Sequence, residues 1–361
     1  MRQRRAVAVL GYGEEPLLLA CLRAIGRQLS PQDELILVDN GISPRLRESA
    51  AGMGAAVLGD GRNTGFAGGC NRAAAETDAG VLVFVNSDAI LRPGALDALT
   101  APLADPTVGI VGGCLRLADR PELVNSVGNP LQFLGFTWAG HCGEPAAEHL
   151  AAGPVTIATG GLFAIRRTTW DGLGGFEPDY FAYHEDTDLS LRAWLSGYQV
   201  RVEPAAVADH AYEFSRNPRK MYLVERNRLI TVLCDYPTPV LRRVLPMLLA
   251  TELPLTAMAV VSGWGRQKAA AWWWILRRGR WLARRRAVVQ RSARVSPATI
   301  ADLLTAEIDP PMVAHPPGMR LLNRVLRRYW RWAQSSLHRP DETVRSGARR
   351  RPATDPRAGS R

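Results

Sequence analysis

The apolar residues of this chain fall into two kinds of pattern, and the change between them comes near Pro237. Before it, short unbroken apolar runs alternate with longer amphipathic stretches. Residues 6–10, 34–38 (ELILV), 55–58 and 81–85 (VLVFV) show almost no polar alternation, the mark of strands covered on both faces. Pro16 and Pro44 stand where helices begin, predicting helices to about Leu29 and Met53. Residues 63–71 read as a glycine-rich loop feeding a helix through about Glu76. Strands and helices alternating at this spacing specify an α/β fold with a doubly wound, mostly parallel sheet.

Beyond Val108 the pattern loosens. Residues 110–113 read as an edge strand, 117–152 as an irregular segment lining a cleft, and 154–166 as strand broken at Gly160 and Gly161. Residues 181–188 lead into a helix through Leu195 that Gly197 closes, and 200–207 form a further strand before Asp209 and His210. After Pro237, residues 244–263 have about the length of a membrane span but contain Pro246, Glu252 and Pro254. Residues 272–286 interleave Trp272, Trp273, Trp274 and Trp281 with Arg277, Arg278, Arg280, Arg284, Arg285 and Arg286. Tryptophan favours the headgroup level and arginine pairs with phosphate, so this stretch reads as an amphipathic helix lying on a membrane; the alternative is a solvated basic helix that packs its tryptophans on the main domain. Residues 338–361 are nearly devoid of apolar side chains and read as disordered. The expected division is 1–236, an α/β catalytic domain; 237–337, a helical membrane-associated region; and 338–361, a basic tail.

Charge supports the membrane reading. The net charge is +11, and the excess lies after Arg242, which favours a polyanionic surface as partner. No nucleic-acid-binding motif accompanies the arginines, so lipid phosphate is preferred over nucleic acid. The five cysteines form no CxxC pair, which argues against a disulfide framework or zinc ribbon and suits a reducing compartment. The N-terminal apolar run is too short for a secretory signal. The expected location is the cytoplasmic face of the cell membrane.

Candidate chemistry sits at strand ends, where open α/β sheets bind ligands. Asp39 follows the second strand, Asp88 ends the VLVFVNSD strand, and Glu185 and Asp186 begin a later helix. The glycine-rich stretch is neither GxGxxG after the first strand nor GxxxxGK[ST], so hydride transfer and NTP hydrolysis lose support. Carboxylates at a helix start also serve as caps, and these residues taken singly decide nothing.

Taken in order, five motifs resemble the inverting family 2 glycosyltransferases of GT-A fold, especially their rhamnosyltransferase-like branch. They are Val38-Asp39-Asn40-Gly41, the stretch NTGFAGGCN at 63–71, Asn86-Ser87-Asp88, Thr159-Gly160-Gly161, and YHEDTDLSLR at 183–192. The resemblance covers about residues 6–215 and implies a role for each position. Asp39 would hold the nucleobase or ribose of a nucleotide-sugar donor, with Asn63, Gly65, Asn71 and Asn86 shaping its pocket. Asp88 matches the last aspartate of a DxD motif, and with His210 would hold Mg2+ or Mn2+ on the donor diphosphate. Asp186 matches the general base. Thr159, Gly160, Gly161 and Glu185, with Trp138 and Tyr183 nearby, would face the acceptor.

Two departures stand out: Gly11-Tyr12-Gly13 replaces the usual Thr-Tyr-Asn, and Asn86 replaces the first DxD aspartate. The implied reaction moves a sugar, rhamnose from a dTDP or UDP donor, to a hydroxyl of a polyprenyl-linked or polysaccharide acceptor. The alternatives are a UDP-galactofuranose or UDP-hexose donor on the same fold, and a non-catalytic membrane-bound glycan-binding scaffold.

Overall fold

The computed structural model describes residues 3–211, 218–311 and 318–338; apart from His338, the expected disordered tail lies outside the described residues. The chain opens with β1 (Arg5–Gly13), α1 (Leu18–Gly26), β2 (Glu34–Ile42), α2 (Pro44–Gly52), β3 (Ala56–Leu58), α3 (Gly65–Ala75), β4 (Val81–Asn86), β5 (Ala89–Leu91) and α4 (Ala95–Thr100). It continues with β6 (Val108–Leu117), β7 (Arg120–Ser126), β8 (Leu131–Gln132), β9 (Gly153–Pro154), β10 (Leu162–Arg166), α5 (Arg167–Leu173), α6 (Glu185–Leu195) and β11 (Gln199–His210). The C-terminal part is helical: α7 (Pro218–Asp235), α8 (Thr238–Val261), α9 (Gly265–Arg277), α10 (Gly279–Arg291) and α11 (Pro297–Leu303), then the short β12 (Leu304–Thr305) and α12 (Met319–Leu337).

The main sheet runs β3-β2-β1-β4-β10-β6-β11-β5. Its first four strands are mutually parallel, β10 is antiparallel to both of its neighbours, and β11 returns parallel to β6. β4 shows why the sheet is covered on both sides. Side chains alternate across a strand, and Val81, Val83 and Val85 pack with Leu18, Cys21 and Leu22 of α1 and Leu96 and Leu99 of α4. Leu82 and Phe84 face the other way, into Ala67, Cys70 and Ala74 of α3, Trp170 of α5 and Leu189 of α6. Phe84 stacks on Phe163 with ring centroids 5.0 Å apart. A third core joins Phe133, Leu134, Tyr180 and Leu191 to apolar residues of α7, α8, α9, α10 and α12.

Two expectations need correction. The segment at 110–113 is no edge strand: β6 lies inside the sheet between β10 and β11. Gly112 and Gly113 permit that position, because a side chain at Gly113 would strike Leu162 and the carbonyl of Ala206. The glycine-rich stretch is not a loop beyond its first two residues. Gly65 opens α3, and Gly69 packs so tightly on Leu10 and Asn40 that a Cβ there has no room. These glycines press a helix onto the sheet.

The arginine- and tryptophan-rich stretch is also different from a single interfacial helix. It breaks at Arg278 into α9 and α10. Trp272, Trp274 and Trp281 turn toward the third core, leaving Trp273 exposed. Arg286 donates to the carbonyls of Leu233 and Tyr236. Arg285 reaches Asp188 of α6 at 2.8 Å. Glu252, which weighed against a spanning helix, faces inward: it accepts from Trp272 Nε1 at 2.8 Å and pairs with the fully buried Lys268 at 2.6 Å. The opposite face of α8 exposes Leu245, Leu249, Leu253, Val260 and Val261. Among the described residues, α8 alone is long and apolar enough to cross a membrane.

Asp188 has no solvent exposure and sits between Arg192 of its own helix, at 2.9 Å from Nε, and Arg285 of α10. Burial pushes its carboxyl up, but the two guanidinium charges outweigh that and hold it below the ordinary value. Removing Arg285 leaves the buried Asp188 anion under-compensated, with Arg192 still in place. Arg285→Ala should therefore lower unfolding free energy by about 3–5 kcal/mol, measured by urea denaturation at neutral pH.

Candidate active site

The carboxyl ends of β2 and β4, the start of α3 and the start of α6 meet at one rim. Asp88, two residues past β4, lies 3.1 Å from Nε2 of His210 at the end of β11. The other ring nitrogen, Nδ1, is 2.8 Å from Oδ1 of the buried Asn125 on β7. Asn125 fixes the ring so that Nε2 faces the Asp88 carboxylate, an imidazole nitrogen and a carboxylate oxygen of the kind that bind divalent cations. Adjacent ligands of an octahedral Mg2+-sized ion stand roughly 2.9 Å apart, from metal–ligand distances of about 2.0–2.1 Å. The Asp88–His210 pair fits a divalent cation in both chemistry and spacing.

The dipeptide Gly160-Gly161 joins this pair to the second carboxylate centre. The amide of Asn86 donates to the carbonyl of Gly161 at 2.9 Å. The amide of Gly160 donates to Asp186 Oδ2 at 3.0 Å. Asp186 Oδ1 accepts from the backbone and hydroxyl of Thr187 at 2.7 and 3.2 Å. Asp186 stays partly exposed at the first turn of α6. Burial raises its pKa above the ordinary aspartate value, and the hydrogen bonds oppose this without cancelling it. Glu185 is buried, with Oε2 lacking a hydrogen-bond partner. Burial, and next the charge of Asp186, raise its pKa well above the ordinary value.

The segment before α6 is strained. Phe181, Tyr183 and His184 all have positive φ, at 64°, 70° and 66°, a region that costs non-glycine residues about 1–3 kcal/mol each. Asn227 of α7 holds this backbone in place: its buried Nδ2 donates to the carbonyls of Tyr180, Ala182 and Tyr183 at 2.9, 2.9 and 2.6 Å. Burial, aided by the charge of Arg228, pushes the His184 imidazole down to about 3, keeping it neutral. Tyr183 is left exposed at the mouth.

On the donor side, Asp39 is buried. Its Oδ1 accepts from the amides of Gly41 and Ile42 at 2.9 and 3.0 Å, and Oδ2 from Arg47 at 2.6 Å. Burial works against ionisation there, but these donors outweigh it and hold the pKa below the ordinary value. Asn63 caps the amide of Gly65 at 2.8 Å. Gly65 has φ +75°, and any side chain there would strike the carbonyl of Phe181, so only glycine lets α3 meet the strained segment. Asn71 commits both ends of its amide to the backbone of Phe176, at 2.8 and 2.9 Å. Its place is as a clamp beneath the site. Thr159 is buried beside Gly160. Trp138 lines a separate cavity of about 560 Å3 against Leu304, Trp330 and Arg331, away from the Gly160-Gly161 bridge.

Three residues near the rim escape sequence reasoning as site residues. Asn40 is buried and bonds Gly65 O and Thr64 Oγ1 at 3.1 and 3.2 Å, stapling β2 to α3. Asn125 orients His210 from a segment with no motif. Tyr12, 66% exposed, stands at the end of β1 beside Gly41. An exposed aromatic at a strand end was the available signal for Tyr12; nothing in the local sequence marks Asn125.

Residues 3–231 match the family described as glycosyltransferase-like family 2. The chain belongs to that family. This family 2 member is 28% identical over 241 residues to N-acetylglucosaminyl-diphospho-decaprenol L-rhamnosyltransferase of Mycobacterium tuberculosis, covering 59% of this chain and 78% of that protein. Its fold is similar to GalNAc-T7 solved with UDP, GalNAc and Mn2+, at TM-score 0.54 and 15% identity; the match covers 65% of this chain and about half of the other (48%). It is also similar to the mannosyltransferase PcManGT from Pyrobaculum calidifontis in complex with GDP-Man and Mn2+, at TM-score 0.51 and 17% identity, over 93% of this chain and 87% of that one. The GT-A fold and the rhamnosyltransferase-like sequence are thus established for this glycosyltransferase.

Glu185 yields a pH-dependent prediction. For an acid whose pKa is raised on folding, the native state binds the extra proton, so stability is lost as pH rises from the unfolded value through the folded one. Glu185→Gln removes that loss. Its stability relative to the parent should increase by about 1.4 kcal/mol per pH unit above the ordinary glutamate range, read from urea midpoints at pH 5, 6 and 7.

Proposed function

We propose that this glycosyltransferase is an inverting, metal-dependent enzyme that moves rhamnose from a dTDP- or UDP-activated donor to a hydroxyl of a polyprenyl-linked acceptor. The observation that supports the reading is the Gly160-Gly161 bridge: the amide of Asn86 donates to Gly161 O and the amide of Gly160 to Asp186 Oδ2, tying the strand that precedes the Asp88–His210 pair to the candidate base. The M. tuberculosis relative, named for a diphospho-decaprenol acceptor, supports the lipid-linked class. The neighbours solved with Mn2+ support the metal.

Asp88 and His210 would hold Mg2+ or Mn2+, which when bound stabilises the negative charge that grows on the departing nucleoside diphosphate. Asp39, fixed as an anion with Arg47, and the open ring of Tyr12 offer a polar and a stacking contact to the nucleoside. Asn63 and Gly65 shape the pocket floor through the α3 start, Asn71 holds that floor from beneath, and Asn86 borders the diphosphate side. Across the gap, Asp186 takes the proton of the acceptor hydroxyl as its oxygen bonds to the anomeric carbon. The carbon–oxygen bond to the diphosphate breaks on the opposite face, and its electron pair leaves with the nucleotide. A base whose pKa is raised toward working pH is better suited to this transfer than an ordinary aspartate. Thr159, Gly160, Gly161 and the buried Glu185 line the acceptor side.

The apolar outer face of α8, together with the exposed Trp273, Leu276, Arg277, Arg278 and Arg280, forms the surface we assign to the membrane. Apolar side chains enter the headgroup boundary while arginines meet lipid phosphate. A lipid-carried acceptor would be met at the cytoplasmic face.

Calorimetric titration with dTDP, UDP and GDP, with and without Mn2+, tests the donor site. One nucleotide should bind in a metal-dependent way, and Asp88→Ala should abolish that dependence; a folded protein that binds none overturns the assignment. Asp186→Asn should keep donor binding while losing about 10²–10⁴-fold in turnover. An unchanged rate would favour a glycan-binding scaffold. Tyr12→Ala should weaken nucleotide binding by roughly 5- to 150-fold, from the 1–3 kcal/mol of base–aromatic stacking, with the pH profile of turnover unmoved.

A further inference from the structure

A second group of metal-ligating side chains lies outside the transfer site, on the loop after β8. Histidine is scarce in this chain, six in 361 residues, yet two of the six converge here on one carboxylate oxygen. His141 Nδ1 and His149 Nε2 lie 3.1 and 2.7 Å from Glu144 Oε2. The two imidazole rings are 4.1 Å apart, and the three ligand atoms lie within 4.8 Å of one another. Two imidazole nitrogens with one carboxylate oxygen make a donor set that suits Zn2+ and disfavours the hard cations that prefer oxygen alone.

The spacing is close to what such an ion needs. Zinc–ligand distances of about 2.0–2.2 Å put tetrahedral neighbours roughly 3.3 Å apart, so the two histidine–glutamate separations of 3.1 and 2.7 Å would each open by roughly half an ångström or less. His141 and Glu144 are about half exposed, at 49% and 48%, which leaves the ion an approach and a water position. The turn carrying the ligands is anchored on β7: the amide of Gly143 donates to Val124 O at 2.8 Å, and the amide of Val124 to Glu144 O at 2.9 Å. Val124 immediately precedes Asn125, the residue that orients His210.

We propose that His141, Glu144 and His149 form a zinc-class transition-metal site, distinct from the Asp88–His210 pair, that clasps the 141–149 loop onto β7. Its bound ion restrains β7, and through Asn125 the ring of His210, without touching either substrate.

The test titrates the metal-stripped full chain with ZnCl2 against a chromophoric indicator, in excess Mg2+ so that oxygen-rich sites are filled. The parent should take up one equivalent more than His149→Ala and Glu144→Gln, or bind that equivalent at least about 10- to 100-fold more tightly; losing even an outer-shell partner of a metal ligand costs that much. Glu144→Gln preserves the shape of the side chain, and the metal-free melting midpoints of both variants should match the parent. A loss of zinc in a properly folded variant then reports ligation. As a second readout, zinc should slow hydrogen exchange at the Val124 amide in the parent and leave it unchanged in the variants. Equal uptake and affinity in parent and variants, with no change at Val124, would mean adventitious surface binding and would overturn the site.

Discussion

The buried charge of Asp188 is the constraint around which the two halves of this molecule are arranged. An anion without solvent exposure survives only when its lost hydration is replaced, and here two guanidinium groups replace it. One comes from the same helix and the other from α10, nearly a hundred residues later in the chain. Arg192 also donates to the carbonyls of Leu173 and Gly175 at 2.6 and 2.8 Å, tying the strand-rich half to the same point. Asp186 lies two residues away on the same helix turn. The C-terminal helices are therefore part of the scaffold that fixes the candidate base, rather than a tether hung from a finished domain. The buried Asp235 of α7, whose carboxyl is raised well above its ordinary value by burial and next by the Asp188 charge, shows how closely this centre is balanced.

The strained segment at 181–184 depends on that scaffold. Three left-handed residues in a row of four cost several kcal/mol in sum by the usual per-residue figure of about 1–3, and the offsetting contacts come from elsewhere. Asn227 supplies three hydrogen bonds from α7, and Gly65 leaves space for the carbonyl of Phe181 from α3. Strain of this kind is kept where a particular backbone path has a use. Here it turns Tyr183 outward and brings Glu185 and Asp186 into the first turn of α6.

Much of this was legible in the sequence. β4 announced itself through five buried residues with no polar alternation, and its terminal Asp88 does meet His210, a partner 122 positions away that the strand pattern alone could not supply. The strand and helix order through β4 followed from apolar runs and helix-starting prolines, whereas β5 and α4 had no such signal. What was illegible depends on contacts between distant segments. The apolar run at 110–113 looks the same at an edge as between two strands, and only the pairing with β10 and β11 tells them apart. Trp272 and Arg285 carry the composition of a lipid-facing helix, yet partners at Glu252 and Asp188 draw them inward. Asn71 and Asn227 have polar side chains that any surface could bear; their meaning lies in the carbonyls they find.

The Gly160-Gly161 dipeptide acts as a ruler. One end is fixed to the strand that leads to Asp88, the other to the oxygen of the candidate base, and two residues of extended chain reach at most about 7 Å. The separation between the Asn86 amide and the Asp186 carboxylate is thus limited by covalent geometry. In the proposed reaction, that limit bounds how far the candidate base can stand from the strand that leads to the candidate cation site, whatever acceptor enters between them.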